Sequence, residues 1–453
     1  MSEPAAAIIP PAPPVPARDL APVRHLVSFL RNTISIFPDY AFEVLISRAR
    51  VLGIDSLLIN DPAGVRHVLV EARECYRRPM SVNRVVRPVA GQGLLLSDGE
   101  VWKRQRRSLA PAFTPAAVSE LIPHFQAAGE GLLRRLSGAS SANLSAAFHA
   151  TALDAVVRAL FSLGPEDADQ GLAPLVRRYF RGPGRPNLLD GFAKREDDFA
   201  FAGASRRLFQ KAWFARVDRI VAERRANPEP ARRDLLSLLI EARDPETGEP
   251  LTDTEIRDQS ATMLLAGFET TSRLLFWACY LLALDQDVQA RLRMEILAHP
   301  PDAVSTLGDV ESWGQLREVL LEALRLYPPA PHIVRDAVAA DEVMGEAIGP
   351  GAQVWISPWV IHRHRRFWEK PTAFMPSRFK DQRSPWTSGT FLPFGMGPRI
   401  CIGASFAMAE AEIVLASLLS RYRIGLADQR PVLPVANITI RPSFEPKFSL
   451  ALI

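Results

Sequence analysis

The longest regular pattern in this sequence is helical and extends for more than thirty residues. It occupies LTDTEIRDQSATMLLAGFETTSRLLFWACYLLALD, where Thr252 and Glu255 have the spacing of a capping box that begins a helix. Two further segments predict helices: DPAGVRHVLVEA, with Asp61 as N-cap and Pro62 in the first position, and QLREVLLEALRLYPP, which Pro328 stops. Strand-like pieces are few and short: DSLLIN, AQVWIS, ITIRP and FSLALI. The sequence therefore predicts a mainly α fold with small β-sheets.

The chain is organised as one large domain behind a proline-rich tail. A length of 453 residues would by itself suggest about three domains. However, no low-complexity linker, long charge run or internal repeat divides the sequence beyond its start. Residues 1–20 are rich in proline and are predicted to be extended and mobile, which leaves residues 21–453 as a single domain.

Charge and cysteine content argue against several classes of protein. The 54 basic and 50 acidic side chains give a formal net charge of +4, which is too balanced to indicate a nucleic-acid partner. Cys75, Cys279 and Cys401 are far apart and include no CxxC pair. This arrangement argues against a disulfide framework or a cysteine-ligated zinc site, and it favours a reducing compartment.

The sequence predicts no transmembrane anchor. Its start, MSEPAAAIIPPAPPVPARDLAP, lacks the basic region of a signal peptide and is interrupted by prolines. The longest strong apolar run, LLFWACYLLAL at residues 274–284, is too short to cross a bilayer and is typical of a buried helix. We therefore expect a soluble, cytoplasmic protein.

Cys401 lies in a glycine-rich loop before a predicted helix, in the stretch FLPFGMGPRICIGASFAMAE. Unpaired N–H groups at a helix N-terminus favour a thiolate, and glycines allow a flat or bulky group to come close. Arg399, two residues before the sulfur, could pair with an anionic part of the same group. These features fit the iron of a haem that carries propionates, whereas an isolated cysteine would more often be a buried structural thiol.

An ordered pattern, F-x-x-G-x-R-x-C-x-G, favours the interpretation of Cys401 as a haem ligand over that of a structural thiol. Its positions are Phe394, Gly397, Arg399, Cys401 and Gly403. The stretch closely resembles the haem-binding loop of the cytochrome P450 family, and the resemblance extends over nearly the whole chain after the tail. It implies the cytochrome P450 fold, with a long central helix over a haem b and Cys401 as the iron ligand. It also implies that Phe394, Gly395 and Gly403 contact the cofactor.

The same resemblance implies a set of residues that bind the haem propionates. DGEVWKRQRRSLAPAF contains Trp102 and Arg106 in the W-x-x-x-R arrangement, and Arg335 follows the proline turn in PPAPHIVRDA. Together with Arg399, these arginines would supply permanent positive charge to two carboxylates. The W-x-x-x-R pattern alone is weak, because basic helix faces are normally solvated. Three further residues are interpreted as facing an acidic electron donor: Lys103, Arg104 and Arg107.

A second motif concerns the support of the cysteine loop. EALR supplies Glu322 and Arg325, which share a helix face and can form an ion pair that would usually be a solvated surface bridge. Their position before LYPPAP resembles the family's E-x-x-R pair, whose third partner is here Arg378 in FMPSRF. Ser377 stands where the family usually has glutamate. The resemblance implies that the three charged residues are structural.

The segment LLAGFETTS interrupts the apolar pattern of the long helix with small and polar residues. Gly267 costs a helix interior ~1 kcal/mol relative to alanine, which suggests that another group approaches closely. A packing contact between helices would explain the same residues. The segment resembles the family's A-G-x-[D/E]-T motif above the haem. This implies that Ala266 and Gly267 line the cofactor, and that Thr270, with Glu269 and water, relays protons to oxygen.

These resemblances imply a haem-thiolate monooxygenase that activates O₂ and hydroxylates a small hydrophobic substrate. Electrons are expected from a separate ferredoxin and its NAD(P)H-dependent reductase, because no flavin- or nicotinamide-binding module follows the haem domain. The alternatives are a peroxide-driven peroxygenase, against which the Glu269–Thr270 pair argues, and a non-catalytic haem sensor. Composition favours a bacterial, cytoplasmic enzyme.

The substrate pocket is expected in mostly apolar segments that vary within the family. The candidates are residues 80–96, 185–192, 330–334 and 443–446, and the helix before Ala266. Arg84 or Arg87 could anchor a substrate carboxylate, or either could simply be solvated.

Overall fold

The computed structural model describes residues 8–164, 202–227 and 234–453 except 52, 383, 384, 386 and 387. Between residues 165 and 201 it describes only 175, 176, 178, 179, 182–184, 190, 193 and 198. The α-helices of the described residues are α1 (Pro22–Arg31), α2 (Pro62–Arg66), α3 (Met80–Ala90), α4 (Gly99–Leu109), α5 (Pro115–Ser119), α6 (Ile122–Leu136), α7 (Leu144–Phe161), α8 (Gly203–Ala226), α9 (Leu235–Glu241), α10 (Asp253–Leu284), α11 (Gln286–Ala298), α12 (Leu307–Val310), α13 (Gly314–Leu326), α14 (Pro358–Ile361) and α15 (Ala404–Arg421).

Within the described residues the strands are short and form four separate sheets. They are β1 (Ile46–Val51), β2 (Ile54–Ile59), β3 (Tyr76–Arg77), β4 (Ser141–Ala142), β5 (Ile333–Ala337), β6 (Asp341–Val343), β7 (Glu346–Ile348), β8 (Gln353–Ile356), β9 (Tyr422–Leu426), β10 (Pro434–Ala436), β11 (Ile440–Pro442) and β12 (Phe448–Leu452). The largest sheet has five strands in the order β1-β2-β8-β5-β3, and a three-stranded sheet has the order β4-β12-β9. The hairpins β6–β7 and β10–β11 complete the set. The prediction of a mainly α fold with small β-sheets is confirmed.

The helix α10, called the central helix below, is the organising element. It has 32 residues, so it is ~48 Å long, and it begins at the predicted capping box of Thr252 and Glu255. Helices α3, α7, α8 and α13 and strand β9 pack against it. Because neighbours surround it, most of its residues are buried and it is apolar on nearly every side.

The other predicted element boundaries agree closely with the structure. Asp61 caps α2 by accepting a 2.9 Å hydrogen bond from the N–H of Gly64, and Pro62 is the first helical residue. Helix α13 ends at Leu326, two residues before Pro328. The four strand-like pieces correspond to β2, β8, β11 and β12.

One helix of the described residues, α7, is long and apolar enough by composition to cross a membrane. In the structure 72% of it is buried, and it packs between α6 and the central helix. This burial inside the fold accounts for its apolar composition.

The described part of the proline-rich tail lies against the domain. Residues 8–20 form no helix or strand. The carbonyl of Ile8 accepts a hydrogen bond from the N–H of Phe374, and the carbonyl of Pro16 accepts one from Asp39, both at 2.8 Å. These contacts agree with an extended conformation. The predicted mobility of residues 1–20 stays a prediction.

Candidate active site

The loop before α15, residues 394–403, is called the cysteine loop below. Its backbone folds back on itself, since the N–H of Cys401 donates to the carbonyl of Phe394 at 2.9 Å. Gly395 and Gly397 have φ angles of 77° and 73°, which side chains of L-residues rarely adopt. At Gly397 a Cβ atom would also lie 2.8 Å from a methyl group of Val70. The glycines are therefore required by the backbone of the loop and by its packing.

Cys401 is accessible although it lies deep among protein atoms. Burial raises the pKa of its thiol, while the N–H of Gly403 and the charge of Arg106 act in the opposite direction. The contact that the sequence predicted at the helix N-terminus is present at Gly403, but burial outweighs it and the charge of Arg106, so the net shift of the pKa is upward. A metal ion bound to the sulfur would favour the thiolate.

The predicted support of the loop is present and fully buried. The guanidinium of Arg325 makes two 2.7 Å hydrogen bonds to the carboxylate of Glu322, and neither side chain is exposed. Arg378 approaches the same carboxylate at 3.2 Å. The remaining donors of Arg325 bind the carbonyls of His362, Pro371 and Ala373. The ion pair therefore holds several chain segments together.

His362 connects this network to the cysteine loop. Its Nε2 atom accepts a 2.7 Å hydrogen bond from the backbone N–H of Leu392. Burial, with the charges of Arg325 and Arg363, lowers the pKa of His362 well below its ordinary value, so the ring is neutral and can accept. The sequence analysis did not identify this histidine.

Trp102, Arg335 and Arg399 come together in one cleft, as predicted, and Arg78 and Asp98 also line it. The guanidinium of Arg399 lies 4.4 Å above the centre of the Trp102 ring, and its Nη1 atom donates to the carbonyl of Ser97 at 3.1 Å. Arg399 also forms an ion pair with Asp98. Arg78 is 3.6 Å from the same carboxylate, which therefore faces two arginines.

The electrostatics of this cleft show an excess of buried positive charge. Burial, followed by repulsion from Arg399 and Arg335, lowers the pKa of Arg78 to about 9. Burial and the charge of Arg399 lower the pKa of Arg335 to about 10. The side chain of Arg335 donates only to the backbone carbonyl of Val334 among the described residues. Additional negative charge would stabilise the cleft.

Arg106 lies on α4 near the sulfur of Cys401. Burial lowers the pKa of the Arg106 guanidinium, and a negative charge on Cys401 would act in the opposite direction. Within the described residues no carboxylate lies at ion-pair distance from Arg106. Its neighbours on α4 behave differently. Each of the three basic residues predicted to face an electron donor has an acidic partner inside this chain: Lys103 pairs with Glu100, Arg104 with Glu255, and Arg107 with Asp244 and Glu246.

In the middle of the buried central helix, Ala266 is exposed and Thr270, one turn later, is half-buried. The hydroxyl of Thr270 donates to the carbonyl of Ala266 at 2.7 Å. Gly267 makes the helix-packing contact that the sequence analysis named as the alternative, and its contact with the cofactor stays a prediction. A Cβ atom there would lie 2.7 Å from a methyl group of Val156, so the group that approaches this glycine closely is α7. Gly267 is thus explained by helix packing.

Glu269 is held by contacts from three elements. Its Oε1 atom accepts from Nε of Arg273 and from the hydroxyl of Thr439, both at 3.0 Å. Its Oε2 atom lies 3.4 Å from Nε2 of His149 on α7. The predicted partners Glu269 and Thr270 are adjacent in the chain, but in the structure the hydroxyl of Thr270 is directed to the helix backbone.

Comparison with known proteins agrees with this geometry. A family model described as cytochrome P450 matches residues 44–444. The chain belongs to the cytochrome P450 family. Its relatives include cyclooctatin synthase of Streptomyces melanosporofaciens, 33% identical over 86% of this chain and 83% of that protein. Another is human cytochrome P450 3A7, 31% identical over 81% of this chain and 76% of that protein.

Solved cytochrome P450 structures share the architecture. The haem domain of cytochrome P450DA superposes with a TM-score of 0.81, covers 98% of both chains and is 25% identical. A cyanobacterial cytochrome P450, CYP120A1 bound to retinoic acid, superposes with a TM-score of 0.76 over 90% of this chain and 92% of its own. At 23% identity this second likeness shows the fold alone. Membership of the cytochrome P450 family makes this protein a haem-thiolate monooxygenase, with a substrate, O₂ and redox partners.

The described residues fit the haem that a cytochrome P450 requires. Arg78, Arg335 and Arg399 line the cleft together with the carboxylates of Asp98 and Glu74, and its basic side chains outnumber its acidic ones. Arg106 lies on α4 close to Cys401. Two propionates would neutralise this excess, and Cys401 offers an accessible sulfur as iron ligand. When bound, haem supplies the iron chemistry that activates O₂ and transfers one of its atoms to a substrate.

Sequence reasoning missed Arg78 in this cytochrome P450. Arg77 and Arg78 are adjacent in CYRRPM and precede the same proline, so their residue types do not distinguish them. Arg77 ends strand β3 with an exposed side chain, whereas Arg78 follows the strand, is half-buried and lies 3.6 Å from Asp98.

Proposed function

We infer that this cytochrome P450 hydroxylates a small hydrophobic substrate with O₂, using a haem b ligated by Cys401 and electrons from a separate ferredoxin and its NAD(P)H-dependent reductase. The observation that carries the haem site is the concentration of buried arginines around Asp98, next to the loop that presents Cys401. Arg106 supports the same assignment, because it combines proximity to Cys401 with the lack of a carboxylate partner among the described residues.

The buried ion pair of Arg84 supports the proposal of a neutral, apolar substrate. This residue, a candidate anchor for a substrate carboxylate, is buried and lies 3.2 Å from Asp190. Arg206 makes two further 2.8 Å hydrogen bonds to the same carboxylate. Because Arg84 already has this ionic partner, it is not available to a ligand without breaking a buried ion pair, which is costly.

The candidate pocket segment 80–96 is fixed to the central helix. The N–H of Gln92 donates to Asp258 at 2.7 Å, and the N–H of Leu94 donates to Gln259 at 2.9 Å. This placement supports the proposal that the segment lines the space beside Ala266 and Thr270. Of the candidate segment 185–192, only Asp190 lies within the described residues.

The proton relay that we propose is Thr270 with Glu269 and water. Thr270 is the hydroxyl on the accessible face of the central helix, one turn from Ala266. The Thr270 hydroxyl donates its hydrogen to the carbonyl of Ala266, and its oxygen can still accept a hydrogen bond from a water molecule or from a protonated carboxyl group. Glu269 must leave its present contacts with Arg273 and Thr439 before it can pass a proton to Thr270.

The electron donor is proposed to be an acidic ferredoxin in a bacterial cytoplasm. The formal net charge of +4 and the relative from Streptomyces melanosporofaciens support this choice. Lys103, Arg104 and Arg107 contribute less to docking than their charges suggest, because internal carboxylates already pair with them.

Carbon-monoxide spectroscopy of the reduced protein tests the proposed cofactor site. The wild type, Cys75→Ser and Cys279→Ser should retain the long-wavelength Soret band of thiolate ligation, whereas Cys401→Ser should lose it. Retention of the band in Cys401→Ser would refute the ligand assignment. Product formation with ferredoxin, reductase, NAD(P)H and O₂, compared with peroxide alone, distinguishes the monooxygenase from a peroxygenase.

A further inference from the structure

His149 lies beside Glu269 where α7 packs against the central helix. Its Nε2 atom is buried and lies 3.4 Å from Oε2 of Glu269. The side chain as a whole keeps 22% of its surface accessible to solvent. One ring nitrogen therefore faces the carboxylate while another part of the ring remains accessible.

The other oxygen of Glu269 already has two donors. Oε1 accepts from the guanidinium of Arg273 and from the hydroxyl of Thr439. Arg273 is thus the ion-pair partner of Glu269 at this oxygen. Any proton that enters from the α7 side must therefore arrive at Oε2, the oxygen that faces His149.

Among the groups that the structure places around Glu269, His149 is suited to exchange protons near neutral pH. Arg273 is permanently charged, and Thr439 only donates a hydrogen bond. Phe268 packs edge-on to the imidazole, with ring centroids 6.2 Å apart, and carries no charge. An imidazole changes its charge between about pH 5 and 8.

We propose that His149 is the entry point for protons to the Glu269–Thr270 pair, a role that rests on the function proposed above. The imidazolium gives its Nε2 proton to Oε2 of Glu269, which leaves a neutral imidazole and a neutral carboxylic acid. The imidazole regains a proton from solvent water. Glu269, no longer held by charge to Arg273, turns and gives its proton to the hydroxyl oxygen of Thr270 as Thr270 passes its own hydroxyl proton to a water molecule in the site, and Glu269 returns to the carboxylate.

Each transfer moves one proton and no electrons, and the first leaves the summed charge of His149 and Glu269 unchanged. His149 acts through Glu269 and does not itself touch the reacting oxygen. A purely structural role would require only its packing against Phe268 and a hydrogen bond to the carboxylate. Glutamine keeps a polar N–H donor beside the carboxylate but cannot titrate, so His149→Gln separates the two roles.

The first experiment measures electrostatic coupling between the two residues without turnover. Histidine-labelled protein in the diamagnetic ferrous carbon-monoxide form is titrated by NMR, and the His149 resonance is identified by its loss in His149→Gln. Glu269→Gln should lower the titration midpoint of His149 by about one pH unit, because a neighbouring carboxylate stabilises the imidazolium. An unchanged midpoint in Glu269→Gln would overturn the proposal.

The second experiment measures product formed with saturating ferredoxin and reductase between pH 6 and 8. The wild-type rate should fall about tenfold as the imidazolium is lost, with water supplying the remaining protons. His149→Gln should be about tenfold slower at pH 6 and nearly independent of pH. His299→Gln, at an exposed helix end, is the matched control and should follow the wild type. A wild-type pH profile in His149→Gln would refute the relay.

Different results would refute the proposed monooxygenase function and the proposed role of His149. A wild type without the thiolate Soret band or without O₂-dependent product would refute the proposed function. The NMR titration needs no product, so it judges the contact between His149 and Glu269 independently. Normal O₂-dependent turnover combined with an unaltered pH profile in His149→Gln would leave the proposed function standing and remove His149 from it.

Discussion

The backbone N–H of Leu392 donates a 2.7 Å hydrogen bond to Nε2 of His362, and this contact links the buried ion pair of Glu322 and Arg325 to the cysteine loop. The carbonyl of His362 accepts from Arg325 at 2.8 Å. Leu392 lies two residues before Phe394, whose carbonyl accepts the N–H of Cys401. Buried hydrogen bonds and two residues of backbone thus connect Glu322 to Cys401.

Replacing His362 by phenylalanine should weaken the cysteine loop. The ring would still pack against Phe391, but the N–H of Leu392 would lose its acceptor, at a cost of about 1–3 kcal/mol in the free energy of unfolding. Urea denaturation and the rate of haem loss measure the effect. The control His364→Phe removes a hydrogen bond to Val44 away from the loop, so it should reduce stability without accelerating haem loss. Equal haem loss in both variants would contradict the linkage.

His362 should also make the protein sensitive to acid. The folded state keeps the ring neutral and its pKa well below 6.5, whereas the unfolded chain takes up a proton near that pH. The contribution to stability is therefore complete above pH 6.5 and is lost as the pH falls, by about 1.4 kcal/mol per pH unit. His362→Asn should show a shallower slope between about pH 6.5 and 5.5 in urea titrations. Parallel slopes would show that His362 titrates normally in the folded protein.

Arg78 should contribute more to cofactor binding than its neighbour Arg77. Removal of Arg78 takes a buried guanidinium from the cleft and should cost about 1.5–3 kcal/mol of charged hydrogen bonding, or at least tenfold in the rate of haem loss. Arg77→Ala is the matched control, since Arg77 is the adjacent arginine and its side chain is exposed. Transfer of haem to apomyoglobin measures both rates. Similar rates for the two variants would exclude Arg78 from the propionate site.

The packing of Gly267 against Val156 predicts a compensating pair of substitutions. Gly267→Ala places a methyl group 2.7 Å from Val156 and should destabilise the protein by about 1–3 kcal/mol through overpacking. Val156→Ala should relieve the clash, so the double variant should be more stable than the sum of the single effects predicts. Chemical denaturation of the four proteins gives the coupling energy. Additive effects would indicate that something other than Val156 restricts this position.

Thr270→Ala tests the proposed relay at its last residue. Haem ligation and substrate affinity should remain, while less product and more hydrogen peroxide form for each NAD(P)H consumed, because a positioned hydroxyl is missing. A positioned proton donor contributes ~10²–10⁴-fold in rate, and the loss should be smaller since water partly substitutes. Thr270→Ser should restore coupling. Full coupling in Thr270→Ala would place the relay elsewhere.

Local patterns in the sequence were sufficient for the elements and for the fold class. The capping box of Thr252 and Glu255 marked the start of the central helix, and Asp61 with Pro62 marked α2, because caps depend on residues within one turn. The cysteine loop was identified for a similar reason. Its glycines and arginine are close in sequence, so their spacing is fixed before any tertiary contact forms.

Tertiary structure decided which side chains are buried, paired or free. The sequence analysis interpreted Lys103, Arg104 and Arg107 as facing an electron donor, but carboxylates from other segments pair with Arg104 and Arg107, while Lys103 pairs with Glu100 on its own helix. It could not separate Arg77 from Arg78, nor assign Gly267 to its contact with Val156 on another helix. A helix start depends on neighbours along the chain, whereas the charge, burial and close packing of a side chain depend mainly on groups that only folding brings next to it.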